Sequence, residues 1–65
     1  EKISDKELVV LELLCREKTA AEIAGELNLS VRTIEGHRKK LMEKSGARNL
    51  AGLVVFAIKN NLVTI

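Results

Sequence analysis

AAEIAGELNL (residues 20–29) runs directly into SVRTIEGHRKK (residues 30–40), and the reading of this junction decides the fold. Ala20, Ile23, Ala24 and Leu27 follow the i, i+3, i+4, i+7 spacing of one apolar helix face. Thr19-Ala20-Ala21-Glu22 in front of them is a capping box, which satisfies the first free N–H groups of a helix. Asn28-Leu29-Ser30 then breaks the pattern. Asn tolerates the left-handed backbone that ends a helix. Ser30 is a good N-cap for the next one, and Leu29 before it can staple onto Ile34. A short amphipathic helix, a tight polar corner and a second helix rich in cations predict a helix-turn-helix.

The flanks extend this into an all-α, compact four-helix domain covering residues 1–65. Ser4-Asp5-Lys6-Glu7 is a second capping box and opens a helix through about Arg16, with Leu8, Leu11, Leu14 and Cys15 on one face. The scaffold helix spans about 19–28, and the cation-rich helix about 31–45, stopping at Gly46. Asn49 caps a fourth helix over about 49–60, followed by the apolar tail Leu62-Val63-Thr64-Ile65. VVFAI (residues 54–58) has strand-forming composition, but a lone strand would lack a ladder partner, so the segment is read as helix.

Composition narrows the function classes. A chain of 65 residues, 46% hydrophobic and 31% charged, is globular. A domain this small buries roughly 60% of its unfolded surface. It can present a surface but not enclose a deep substrate pocket. No apolar run is long enough to span a membrane, so no membrane partner is expected. The opening EKISDKE has no apolar stretch behind a basic leader and is not read as a signal peptide. Cys15 is the single cysteine, which suits a reducing cytosol, and its ordinary role is a buried small hydrophobe. His37 is the single histidine and has no Cys, His or carboxylate cluster at metal spacing. It is assigned a structural hydrogen bond or packing role, ahead of phosphate contact and far ahead of catalysis. No nucleophile–base–orienter set is present, so no enzyme activity, metal or cofactor is expected.

The net charge of +2 conceals an asymmetry. Residues 1–31 carry four cations and seven anions, whereas residues 32–48 carry six cations and two anions. Positive charge gathered on one helix and its exit suits a polyanion. With no Trp or Tyr and one Phe, stacking platforms for single strands are missing, which favours double-stranded DNA. At about 100° per residue, Ile34, His37, Leu41 and Ser45 fall on the core side of the third helix. Arg32, Glu35, Gly36, Lys39 and Glu43 lie opposite, with Thr33 and Lys40 on a flank. Lys39 can donate to guanine O6 or N7, and Glu35 can accept from cytosine N4. Arg32, Arg38, Lys39, Lys40 and Arg48 are candidates for phosphate. Three alternatives stand beside these roles. Glu35 can instead pair with Lys39 at i, i+4. Arg38, nearer the core side, can either reach a duplex or pair with an acid of the first helix. Gly36 either permits close approach to base edges or merely weakens its helix, by up to about 1 kcal/mol.

Together these residues resemble the LuxR-type helix-turn-helix, the DNA-binding domain at the C-terminus of many bacterial regulators, including response regulators of two-component systems. Ile3-Ser4 with Glu7 resembles the opening of that family, and Glu22-Ile23-Ala24 with Leu27 its scaffold helix. Ser30, Thr33, Ile34 and His37 resemble its recognition-helix signature. Lys44, Gly46, Asn49, Val54, Ala57 and Leu62-Val63 continue the match. The resemblance implies base reading at Glu35, Gly36 and Lys39, and backbone contacts from Ser30, Arg32, Thr33 and the nearby cations. Four residues depart from the pattern: Ser45 where Leu is common, Ala47 where Val or Ile is, Leu50 where Arg often is, and Asn61 where Gly is usual. The lost volume at Ser45 and Ala47 is expected to loosen the join between the last two helices.

The fourth helix carries more apolar surface than one core needs. Leu50, Leu53, Val54, Ala57 and Ile58 serve the core, while Ala51, Val55 and Phe56 remain on other sides. A homodimer contact through Ala51, Gly52 and Val55, weak alone and favoured on DNA, is one outlet and the one the resemblance implies. A separate N-terminal regulatory domain is another. RNA polymerase is the remaining expected partner, in a cytoplasmic, nucleoid-associated setting. The competing function is a protein-interaction bundle whose basic helix binds an acidic protein.

Overall fold

The computed structural model describes residues 2–63 and contains, among them, α1 (Asp5–Cys15), α2 (Ala20–Leu27), α3 (Val31–Ser45) and α4 (Leu50–Lys59). Glu1 and the last two residues of the expected tail, Thr64-Ile65, lie outside the described residues.

Every helix starts on the residue whose side chain caps it. Ser4, Thr19, Ser30 and Asn49 each accept from the backbone N–H three residues on. In α1 and α2 the capping box is complete, because Glu7 and Glu22 accept in return from the N–H groups of Ser4 and Thr19. That backbone hydrogen bond holds the Glu22 carboxyl below its ordinary pKa.

The helix ends share a device as well. Glu17, Asn28 and Asn61 adopt φ of 67°, 59° and 55°. The next N–H in each case, from Lys18, Leu29 or Leu62, donates to the carbonyl five residues back, at Leu13, Ala24 or Ala57. This is the Schellman closure, which satisfies carbonyls left free at a helix end. Asn61 therefore fills a left-handed position that glycine would occupy at less cost. Glu17 does so too, an assignment its residue type did not suggest.

α3 packs against each of the other three helices. Val10, Leu11, Leu14, Ile23, Ala24, Ile34, Leu41, Leu53 and Ala57 form the buried cluster. The inward face of α1 is rotated from the expected one. Val10 is buried, Leu8 and Cys15 are only half-buried, and the carboxylate of Glu7 lies inside. The cause is Lys44 of α3, whose Nζ donates to Glu7 Oε1 at 2.7 Å and to the Lys2 carbonyl at 2.9 Å. Glu7 Oε1 also accepts from the Ser4 N–H. One oxygen thus caps α1 and anchors α3. These two hydrogen bonds, Lys44 first, outweigh burial and bring the Glu7 carboxyl down to about 2.

At the turn between α3 and α4 the Ser45 hydroxyl donates to the Met42 carbonyl and accepts from the Ala47 N–H. Gly52 does not face outward. A Cβ there would meet the Ala47 Cβ at 3.4 Å, so the two small residues fit one another within the domain. On α4, Leu50 and Ile58 are exposed rather than in the core, and Phe56 packs against it.

Candidate nucleic-acid interface

Ser30 sets where α3 begins, and so which residues project from its first turns. Its Oγ accepts from the Thr33 N–H at 3.1 Å and lies 2.9 Å from Thr33 Oγ1. These two hydroxyls form an exposed polar corner at the tip of α3. Ile34 and Leu41 are fully buried and fix the rotation of the helix, with His37 and Ser45 half-buried on the same side. That rotation leaves Arg32, Glu35, Gly36, Lys39, Lys40 and Glu43 exposed, as the periodicity predicts. A Cβ on Gly36 would meet no atom within 4 Å, so its surface is a bare strip of helix backbone.

Of the eleven cations, four are held in ion pairs. The other seven, Lys2, Lys6, Arg32, Lys39, Lys40, Arg48 and Lys59, are unpaired among the described residues, and four of these gather on α3 and its exit. Arg16, Lys18, Arg38 and Lys44 are each held by a carboxylate, from Glu12, Glu26, Glu35 and Glu7 respectively. Arg32, Lys39, Lys40 and Arg48 carry no ion pair among the described residues. All four are exposed, on α3 or just beyond it. Lys44 therefore leaves the basic surface for a structural role, which nothing local in the sequence signalled. Arg38 pairs with Glu35 at 3.1 Å, one turn away on its own helix, not with an acid of α1. Glu35 accordingly engages Arg38 rather than Lys39.

Arg48, a phosphate candidate already in the sequence, is brought beside Arg38 and Lys39 by the fold. It stands between α3 and α4, and with Glu35, Arg38, Lys39, Met42, Asn49 and Leu50 it lines an open cleft of about 400 Å³. Two arginines and a lysine, with the Glu35 carboxylate that pairs with Arg38, thus line one cleft beside the exposed face of α3. Ala51, directly after the cleft-lining Leu50, and Val55 are exposed on α4, whereas Gly52 is half-buried. No group of three or more His, Cys, Asp or Glu among the described residues could hold a metal ion.

Residues 1–57 match the family described as bacterial regulatory proteins, luxR family. The chain belongs to the luxR family. Among curated relatives of this luxR-family chain, a putative transcriptional regulator of Pseudomonas aeruginosa is 38% identical over 63 residues, covering 97% of the chain and 30% of the relative. The probable transcriptional regulator ycf29 of Cyanophora paradoxa is 39% identical over 59 residues, 91% of the chain and 28% of the relative. The oxygen regulatory protein NreC of Staphylococcus aureus is 36% identical over 61 residues, 94% of the chain and 28% of the relative. The chain thus spans less than a third of the length of these relatives. No solved structure shows a significant match.

Proposed function

We propose that the chain is a non-enzymatic, sequence-specific binding domain for double-stranded DNA. In this reading it is the output domain of a bacterial transcription regulator, cytoplasmic and, more narrowly, part of a two-component response regulator. The observation that carries the DNA reading is the division of the cations. Four on α3 and its exit stand exposed without an ion pair, while the two most enclosed, Lys18 and Lys44, are matched to carboxylates. The regulator context is supported by the family and by the names of the relatives.

In the proposed complex the first turns of α3 enter the major groove. Lys39 donates to a guanine edge and Gly36 lets the backbone approach the bases. Glu35 accepts from a cytosine or adenine amino group once it exchanges its Arg38 partner for the base. Ser30, Arg32, Thr33, Lys40 and Arg48 hold phosphates, and Arg38, released from Glu35, joins them in the cleft it shares with Arg48. Two copies meet through Ala51 and Val55 of α4, with Ile58 beside them in place of Gly52. RNA polymerase and an N-terminal regulatory domain are the further partners of this reading.

The test separates reading from positioning. Lys39→Ala should cost about 1–3 kcal/mol at a preferred site and relax preference at one base pair. Arg32→Ala should weaken binding to all duplexes alike. Equilibrium titrations over a panel of single-base variants measure both. Binding only to acidic protein, with no affinity for any duplex, would overturn the reading.

A further inference from the structure

We propose that Val31 reads a thymine through its 5-methyl group, adding a specificity-determining residue to α3; this rests on the duplex-DNA reading above. Val31 is the first residue of α3 and is 45% exposed. Its exposed neighbours on the first two turns are Arg32, Thr33, Glu35 and Gly36, so it is the one apolar side chain displayed there. The fold does not use it. It belongs neither to the buried cluster nor to the apolar side chains packed against that cluster. Helix formation does not favour it either. The Ser30 hydroxyl does the capping, and a β-branched residue loses side-chain freedom in a helix.

Its position, by contrast, suits a base edge. Val31 lies one turn before Glu35, and residues four apart share one side of a helix. Cα–Cβ bonds tilt toward the helix N-terminus, so the two methyls of Val31 project toward the tip of α3. That tip is the end that enters the groove when a recognition helix docks. The edges of the base pairs offer polar atoms throughout the major groove, with one apolar exception, the thymine methyl. Thymine is thus the base that an exposed valine at this position can favour. Of its exposed neighbours only Thr33 also carries a methyl, and Val31 is the one that presents a wholly apolar side chain to the thymine methyl.

The experiment removes the methyl from the DNA, which leaves the protein fold untouched. A preferred duplex is first selected by the 65-residue chain from a randomised pool. Each thymine is then replaced in turn by 2′-deoxyuridine, which keeps base pairing and deletes the methyl alone. Affinity is measured at constant salt for wild type, Val31→Ser and Val31→Thr, with helicity of each checked by circular dichroism. Wild type should lose about fourfold at one thymine per half-site, the effect of exposing roughly one methylene equivalent. Val31→Ser should bind the unmodified duplex about fourfold more weakly and be indifferent to that replacement. Val31→Thr, which keeps one methyl, should retain part of the thymine preference. A selected site without such a thymine, or an equal deoxyuridine penalty in wild type and Val31→Ser, overturns the proposal while the DNA reading stands. If the wild-type chain selects no duplex at all, both fall.

Discussion

Gly36 lies within α3 with open space where a Cβ would stand. Adding that carbon therefore meets no steric obstacle in the free protein, and alanine has the better helix propensity. Gly36→Ala should raise stability by up to about 1 kcal/mol in thermal or urea unfolding. If the bare backbone approaches base edges, the same change should weaken duplex binding. Stability and affinity then move in opposite directions, and a parallel rise in both would remove Gly36 from the interface. Glu7 poses the converse case, a charge that serves the fold. Its carboxyl titrates at about 2 in the native state against an ordinary 4.5. Since the folded value is the lower one, its contribution is complete above the unfolded value and is lost as pH falls from about 4.5 to about 2. A shift of this size corresponds to at most about 3 kcal/mol. Lys44→Met removes the largest cause. Urea unfolding between pH 7 and pH 2 should show a lower plateau for this variant at neutral pH and a shallower acid loss.

At the scale of elements, local chemistry sets the ends and tertiary packing sets the faces. α2 has only eight residues, far fewer than an isolated helix needs in water. It persists because Thr19 and Glu22 satisfy its start, Asn28 closes its end, and Ile23 and Ala24 are buried. The end of α1 is less well served, since Glu17 occupies the left-handed position at φ 67°. Glycine adopts that backbone without the steric conflict of a Cβ. Glu17→Gly should therefore stabilise the domain by about 0.5–1 kcal/mol in thermal unfolding, since glycine's extra unfolded-state entropy offsets part of the relieved strain. A destabilised variant would show that the Glu17 side chain holds something that outweighs its backbone strain.

At the scale of the whole molecule, a domain of 29 × 23 × 20 Å leaves Val55 54% and Ile58 46% exposed on one helix. A contact made by Ala51, Val55 and Ile58 is smaller than a standard stable interface, so free chains should be mostly monomeric at micromolar concentration. A duplex with two half-sites would supply the missing affinity by holding two copies at high effective concentration. Two-fold symmetry then calls for an inverted repeat. Val55→Glu should abolish cooperative binding to paired half-sites and spare binding to one half-site, read by gel-shift titration with helicity monitored. Loss of single-site binding together with helicity would assign Val55 to the fold and end the dimer proposal.

The four helix starts, the left-handed corner at Asn28 and the stop at Gly46 were all legible in the chain. So were the exposed cations of α3, because a helical period sorts neighbours into faces without reference to anything distant. Each of these depends on hydrogen bonds or spacings of three to five residues. The folded arrangement decided what such short reach cannot: that Lys44 leaves the basic set for Glu7, 37 residues away, and that Glu7 is buried. It also set Gly52 against Ala47, turned α1 toward Val10, and brought Arg48 beside Arg38 and Lys39. Those outcomes follow from the angles at which helices cross and the turn that joins α3 to α4. Periodicity within one helix carries no information about either.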